Sequence, residues 1–263
     1  MIRFFRSIRQ GLVNEGKTSK YFRYAVGEII LVVVGILIAL QVNNWNIARG
    51  EAKLEQEYLQ RIVEEIERDV KGIDRNKAEA EFWKEMIQLL KDAYYDTEVA
   101  LARPIEFVTA IKHADIVSRA TIGGDTYDEL RSAGHLRLIK DPAVKSAIRE
   151  YYRYYERSQK NDMLQQMRIF KYIELSNKVL SWQHGIGGVG YVNHETVNKF
   201  EGVEVDEALV LEALGRMREN SEYISWINEM YNIRGQESRI YDHYLQRANA
   251  LLTAIEAAEK GSR

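Results

Sequence analysis

The sequence contains no cysteine and only two prolines in 263 residues. The absence of cysteine excludes a disulfide framework, thiolate zinc sites and thiol nucleophiles. Average proline usage of about 5% would give about thirteen prolines in a chain of this length. Because proline interrupts helices, this scarcity favours long continuous helices over turn-rich β architectures.

The chain also lacks a strong net charge and the common catalytic motifs. Its formal net charge of −2 gives no general attraction to nucleic acid, while 46% hydrophobic and 29% charged residues are typical of a folded protein. Serine-nucleophile, zinc-protease and phosphate-loop signatures are missing. We therefore predict a non-enzymatic protein with no catalytic residues, no cofactor, no metal and no nucleic-acid partner.

One long apolar run extends from Ala25 to Val42 and is interrupted only by Glu28 and Gln41. A helix of this length spans about 27 Å, and a helix over residues 24–45 matches a bilayer. No small-residue cleavage site follows the run, which favours an uncleaved anchor over a signal peptide. A third interpretation is a buried helix of a soluble protein.

Basic residues are concentrated on the N-terminal side of this run, at Arg3, Arg6, Arg9, Lys17, Lys20 and Arg23. The positive-inside rule then places residues 1–23 in the cytoplasm as a basic tail, residues 24–45 in the membrane and residues 46–263 outside the cytoplasm. The aromatic residues Tyr21, Tyr24 and Trp45 are predicted to lie at the two membrane interfaces.

The apolar run also contains residues that favour helix association. Gly35 and Ala39 form a small-residue pair that lets helices approach closely, and Gly27 lies two turns earlier on nearly the same face. Glu28 is a candidate partner for another transmembrane helix or a protonatable site, with a structurally neutral role as the alternative. The predicted partners are the lipid bilayer and either further copies of this chain or other membrane-protein subunits.

The remaining sequence predicts several helices. Apolar residues recur at four-residue and three-residue steps between Arg49 and about Tyr95, which predicts one long amphipathic helix that could continue the membrane helix. Further helices are predicted for residues 105–115, 125–130, 142–182, 206–217 and 221–258. The expected fold is all-α, with an N-terminal transmembrane helix followed by an extracytoplasmic antiparallel bundle.

Start and stop signals support these helices. Asp125 or Thr126 is expected to cap one helix that Gly134 ends, and Asp141 is expected to cap the helix that Pro142 begins. The tyrosine cluster from Tyr151 to Tyr155 could form a ligand cage. Its helical spacing favours core packing with the hydroxyl groups at the rim.

Several other motifs resemble reactive sites but have simpler explanations. The glycines from Gly185 to Gly190 satisfy G-x-G-x-x-G, yet a helix instead of a strand precedes them, so a flexible loop is expected. His184, His194 and Glu195 could supply metal ligands, but their spacing matches no metal motif. His113, His135 and His243 lie on separate elements, and each is expected to be a surface or rim residue. Residues 126–148 could be mistaken for a helix-turn-helix, which export would separate from DNA.

Two segments carry a resemblance to a known family. The segment YAVGEIILVVVGILIALQVNNWN with the leader MIRFFRSIRQ, and TYDELRSAGHLRLIKDPAVKSAIREYY from Thr126 to Tyr152, closely resemble DUF6090, a family of bacterial membrane proteins of unknown function. The resemblance implies a protein anchored in the bacterial inner membrane with a helical periplasmic domain. It implies no activity and no catalytic residues.

These features favour a membrane-anchored envelope protein that self-associates as a scaffold or serves as an accessory subunit of a membrane complex. The alternative is an extracytoplasmic sensory bundle that binds a small ligand between its helices and acts through a partner protein. The predicted cytoplasmic tail of about 23 residues is too short to hold an output domain.

Overall fold

The computed structural model describes residues 18–117, 119, 121–159, 162–180 and 204–261. Within these ranges the chain is α-helical apart from short connections, and none of the described residues forms a strand. The all-helical class predicted from the sequence is therefore confirmed. The chain divides into two compact units, Met1–Glu57 and Tyr58–Arg263.

Helix α1 is the longest element, running without interruption from Thr18 to Tyr95 over 78 residues. The predicted membrane segment and the predicted amphipathic helix thus form one continuous helix. The sequence favours this continuity because no proline lies between Thr18 and Tyr95.

The second unit contains the last part of α1 and seven further α-helices among the described residues. They are α2 (Thr97–Ala102), α3 (Pro104–His113), α4 (Asp125–Ser132), α5 (Pro142–Gln159), α6 (Asp162–Val179), α7 (Glu207–Glu219) and α8 (Ser221–Gly261). A 3₁₀ turn at His135–Arg137 lies between α4 and α5. Helices α5, α6 and α7 each pack against α8, and α3 also packs against α6 and α7.

Most helix boundaries follow the sequence signals. Asp141 Oδ1 accepts hydrogen bonds from Ala143 N at 2.7 Å and Val144 N at 3.1 Å, so it caps α5 as predicted. Asp206 caps α7 by accepting from Ala208 N at 3.0 Å. Gly134 ends the α4 segment with φ of 68°, in the left-handed region that favours glycine.

The predicted cap of α4 is wrong. Gly124 occupies the cap position, and no side chain there accepts a hydrogen bond from the first turn. Thr126 uses its hydroxyl differently, because it donates to Glu65 Oε1 at 2.6 Å. A tertiary contact with α1 therefore replaces the local capping interaction.

The predicted helix from Pro142 to about Trp182 is described as two segments, α5 and α6, and residues 160–161 between them lie outside the described residues. The buried residues Ile148 of α5 and Leu175 of α6 differ by about 180° on a helical wheel. One straight helix would therefore turn these buried residues to opposite sides. Met167 and Phe170, which continue the α5 stripe in sequence, are exposed instead.

The main core of the second unit lies where α1, α3, α6, α7 and α8 meet. Trp83 is its largest fully buried side chain. The other large members are Ile87 and Leu90 of α1, Phe107 and Ile111 of α3, Tyr172 and Leu175 of α6, Leu214 and Met217 of α7, and Tyr223, Ile227, Met230 and Ile233 of α8. Burial of these side chains is the main source of stability in a bundle of this kind.

Candidate functional site

The first candidate site is the apolar stretch of α1 from Ala25 to Ile47. The most apolar 18-residue window of this helix has 0% of its residues buried, and its length and composition are sufficient to cross a membrane. Leucine, isoleucine and valine side chains are exposed on every side of the helix there. A helix that is apolar all round is typical of a bilayer or of a buried environment.

The association residues predicted from the sequence lie within this stretch. A Cβ atom added at Gly27 or Gly35 would meet no atom within 4 Å, so both positions have open space beside them. Ala39 is exposed, and Glu28 is half-buried. These residues share one helix, and open space at the glycines is compatible with close approach of a second helix.

The predicted interface aromatics have different outcomes. Trp45 is exposed, and the guanidinium carbon of Arg49 lies 5.6 Å from its ring centroid. Tyr21 and Tyr24 belong to α1, but their side chains lie outside the described part of the structure. The Trp45–Arg49 pair, one apolar ring beside one cation, suits a membrane–water boundary.

The second candidate site is a buried carboxylate cluster, formed by Glu65 and Asp69 of α1. Asp69 accepts hydrogen bonds from Gly123 N at 2.8 Å and from the Tyr151 hydroxyl at 2.9 Å. Glu65 accepts from Thr126 N at 3.2 Å, from the Thr126 hydroxyl at 2.6 Å and from the Tyr152 hydroxyl at 3.4 Å. The two carboxylates therefore join α1 to the start of α4 and to α5.

Burial sets the electrostatics of this cluster. Burial raises the pKa of the Asp69 carboxyl, and the hydrogen bonds from Gly123 and Tyr151 oppose part of that rise. Burial, and next the negative charge of Asp69, raises the pKa of the Tyr151 hydroxyl far above its usual range. Burial and the charge of Glu65 do the same for Tyr152. Both hydroxyls therefore keep their protons and act as hydrogen-bond donors.

The geometry of the cluster favours a structural role for the two carboxylates over a catalytic one. Each carboxylate is surrounded by donors from backbone and side chains, so proton abstraction would first require breaking these hydrogen bonds. Tyr152 is also fixed by stacking on Tyr127, with ring centroids 4.3 Å apart and an interplanar angle of 6°. Tyr151 and Tyr152 pack in the core as predicted, but their hydroxyls are buried and not at the rim, and Tyr154 and Tyr155 are only half-buried.

A second set of polar contacts, more exposed than the carboxylate cluster, lies earlier on α1. The Tyr58 hydroxyl donates to Glu129 Oε1 at 2.9 Å and lies 2.9 Å from His135 Nδ1. Arg61 Nη2 donates to Glu129 Oε2 at 2.7 Å. Hydrogen bonds from Arg61 and then Tyr58 lower the pKa of Glu129, and the same hydrogen bond raises the pKa of Arg61. The interaction holds the end of α4 and the following turn against α1.

A buried arginine was missed by the sequence interpretation. Arg234 of α8 donates through Nη2 to the carbonyl oxygens of Ala114 at 2.6 Å and Ile116 at 2.5 Å, and through Nη1 to Glu237 Oε2 at 2.8 Å. A cation beside a helix C-terminus interacts favourably with the helix dipole and with carbonyl groups that lack helical partners. Arg234 therefore fixes the end of α3 to α8.

One sequence signal could have identified these polar groups. Glu65 and Asp69 lie in phase with the buried residues Ile62 and Ile73 of α1. Likewise, Arg234 and Glu237 continue the three-residue and four-residue steps of Ile227, Met230, Tyr241 and Tyr244 on α8. A charged residue in the phase of an apolar stripe is expected to be buried and paired.

Several residues weighed as reactive groups lie outside the described residues, namely Gly185 to Gly190, His184, His194 and Glu195. The described histidines lie on separate elements: His113 ends α3, His135 is in the 3₁₀ turn and His243 is on α8. No group of three potential metal ligands occurs among the residues that the structure describes.

Comparison with protein-family models, with curated proteins and with solved structures gives no match for this chain. Its own residues and geometry are therefore the basis for any functional conclusion. Two features stand out among the described residues, the exposed apolar stretch of α1 and the helical second unit stabilised by buried polar contacts.

Proposed function

We propose that this chain is an anchored envelope protein of the bacterial inner membrane, of the DUF6090 type. In this proposal, residues 1–23 are cytoplasmic, residues 24–45 span the membrane and residues 46–263 form a periplasmic antiparallel helical bundle. The protein is a non-enzymatic scaffold that self-associates, or an accessory subunit of a membrane complex. Lateral contact uses the helix face that contains Gly35, Ala39 and Glu28.

The observation that carries the proposal is that no residue in the apolar window of α1 is buried. Contiguous apolar surface of this extent marks a membrane or protein interaction site. The open space beside Gly27 and Gly35 supports helix contact on that side. The saturation of Glu65 and Asp69 by hydrogen-bond donors supports a structural and not a catalytic role for the buried acids.

The alternative, a sensory bundle with a tyrosine-lined ligand pocket, has less support. Tyr151 and Tyr152 are buried, and their hydroxyls donate to the carboxylates of Asp69 and Glu65. Their spacing on α5 is explained by packing and hydrogen bonding within the bundle.

A reporter fused after Arg263 tests the topology. We expect a reporter active only outside the cytoplasm to function there, and we expect the chain to resist extraction by alkaline carbonate. Leu37→Arg would reduce the membrane-bound fraction, because a charge at the helix centre costs about 2.5–3.5 kcal/mol on insertion scales. Activity of a cytosolic reporter at the same position would reject this topology.

Single-cysteine cross-linking tests lateral association, and the natural chain provides a cysteine-free background. Ala39→Cys places a thiol on the small-residue face, whereas Leu37→Cys places one about 200° away around the helix. We expect oxidised dimers for Ala39→Cys in membranes and few for Leu37→Cys. Adding Gly35→Leu should remove the Ala39→Cys dimer by filling the contact.

Gly50→Leu is the matched control, because Gly50 lies on the same helix and also has open space beside it. It should leave the Ala39→Cys dimer intact. Equal cross-linking from both faces would contradict a specific contact between copies. A monomer that retains another membrane protein after purification would assign the same face to the accessory-subunit role.

A further inference from the structure

A surface groove of about 400 Å³ lies beside α8, with lining residues contributed by α1, α6 and α8. This volume is within the range of about 300–1,000 Å³ found for small-molecule sites. Lys84 of α1, Arg168 of α6 and Arg239 of α8 line it, so three helices each contribute one cation. Glu229 is the one acidic side chain among the described residues of the lining.

The charges of the groove are not balanced. Arg168 Nη1 pairs with Glu229 Oε1 at 2.9 Å. Within the described part of the chain, neither Lys84 nor Arg239 has a carboxylate oxygen within 4.0 Å of its charged nitrogens. Two positive charges therefore remain after the internal ion pair is counted.

Lys91 of α1 adds a further positive charge near the two unpaired cations Lys84 and Arg239. Lys91 Nζ lies 4.3 Å from the ring centroid of Tyr231, and Lys84 Nζ lies 5.2 Å from the same centroid. Because Tyr231 lines the groove, Lys91 adds a positive charge beside the lining cations. An anion in the groove would be attracted by these positive charges.

Gly235 gives the groove an open floor. A Cβ atom added at this position would lie 3.7 Å from Arg239 Nη1 and 4.0 Å from Lys84 Cε. The guanidinium of Arg239 and the side chain of Lys84 therefore approach each other across the bare backbone of α8. A bound group at Gly235 would be in reach of both.

We propose that this groove binds a phosphate monoester, with the phosphoryl group held by Lys84 and Arg239. A phosphate monoester carries a charge of about −1.5 to −2 and three acceptor oxygens, which matches two unpaired cations better than one carboxylate does. The planar guanidinium of Arg239 can donate to two phosphate oxygens while Lys84 supplies a point charge.

The rest of the lining indicates what the phosphate is attached to. Asn232 and Gln236 present amide groups beside the phosphate position. Amides both donate and accept hydrogen bonds, which suits the hydroxyl groups of a polyol or sugar. A sugar phosphate in solution and the phosphate headgroup of a lipid share this chemistry, and the site does not depend on the proposed lateral contacts of α1.

Calorimetric titration of the full chain in zwitterionic detergent micelles tests the assignment. Glucose 6-phosphate is the soluble probe, with glucose as its uncharged control. Micelles doped with phosphatidic acid, compared with phosphatidylcholine, provide the lipid arm. We expect saturable binding to at least one phosphate probe, none to glucose, and weaker binding at high salt.

Gly235→Leu blocks the groove without changing its charge, and leucine favours a helix over glycine. Gly215→Leu is its matched control, because Gly215 is an exposed glycine of α7 with no atom within 4 Å of an added Cβ. We expect Gly235→Leu, Lys84→Gln and Arg239→Gln each to weaken binding by about tenfold or more, as for loss of a charge-assisted contact. Gly215→Leu should bind as the natural chain does.

Binding in the glucose 6-phosphate arm alone would assign a soluble ligand, and binding in the phosphatidic acid arm alone would assign a lipid headgroup. Failure of both phosphate probes to bind would overturn the proposal. Equal affinity of Gly235→Leu and Gly215→Leu would overturn it as well, because the phosphate would then be bound elsewhere.

Discussion

Two stretches of helix α1 differ in the exposure of their apolar side chains. Between Ala25 and Ile47 the large apolar residues are exposed, with Leu37 at 58%. Between Tyr58 and Leu90 the apolar residues on one side of the helix are buried, and Trp83 is at 0%. The difference is one of pattern, because the first stretch is apolar all round and the second alternates an apolar stripe with charged residues.

Hydrophobic side chains therefore have two different environments on this one helix. In the second stretch the stripe is matched by α3, α6, α7 and α8, which bury Trp83, Ile87 and Leu90 in a common core. In the first stretch no described residue buries the apolar window. The same residue type should therefore contribute to folding of the second unit in one place and to membrane or lateral contact in the other.

Removing a large side chain from each stretch should give the largest difference. Trp83→Ala deletes a fully buried indole and its hydrogen bond to Glu79 Oε1 at 2.7 Å. We expect a loss of about 3–5 kcal/mol in the free energy of unfolding, from lost burial and the cavity left behind. Leu37→Ala should change the unfolding of the second unit by less than about 0.5 kcal/mol.

Denaturant unfolding followed by circular dichroism in mild detergent measures both effects. Trp83→Phe provides a milder variant if Trp83→Ala does not fold, and it should fall between Trp83→Ala and the natural chain. Equal destabilisation by Trp83→Ala and Leu37→Ala would contradict the assignment of the two stretches to different environments.

A buried and an exposed carboxylate can be compared within the packed stretch of α1. Glu65→Ala would leave Thr126 N, the Thr126 hydroxyl and the Tyr152 hydroxyl without their acceptor. Unsatisfied buried donors cost about 1–3 kcal/mol, so we expect a loss of that order in the free energy of unfolding. Glu67→Ala is the matched control, because Glu67 is an exposed residue of the same helix. A similar loss from both variants would show that the cluster does not stabilise the fold.

Local signals were sufficient for much of the helical framework. The cap and proline at Asp141 and Pro142, the cap at Asp206 and the left-handed glycine at Gly134 all act within a few residues of the chain. Such interactions are visible in the sequence because both partners are neighbours along the chain. The continuity of α1 could also be predicted from the sequence, because it depends on the local absence of proline.

Other features depend on partners distant in sequence. The buried residues Ile148 of α5 and Leu175 of α6 lie on opposite faces of an ideal helix, which the sequence stripe alone did not show. The Thr126 hydroxyl could accept from the first turn of its own helix as a cap or donate to Glu65, and in the structure it donates to Glu65. Arg234 was missed because its carbonyl partners Ala114 and Ile116 lie about 120 residues earlier.

The smallest expected effect concerns the pH dependence of stability at the end of α3. Burial lowers the pKa of His113 below its ordinary 6.5; the negative charge of Asp115 opposes this shift, and the positive charge of Lys112 adds to it. As pH falls below 6.5, the unfolded chain binds a proton at this residue before the folded protein does. Stability contributed by neutral His113 is therefore present above pH 6.5 and is lost as pH falls toward the lowered pKa.

His113→Gln should flatten the stability curve just below pH 6.5, by less than the limit of about 1.4 kcal/mol per pH unit for one proton. Asp115 should act in the opposite direction, because burial raises its pKa above 3.8 and the folded state gains its proton first on acidification. Asp115→Asn should therefore change the curve at lower pH and leave the slope near pH 6.5. Thermal unfolding across this pH range measures both, and an unchanged slope in His113→Gln would show that another group titrates there.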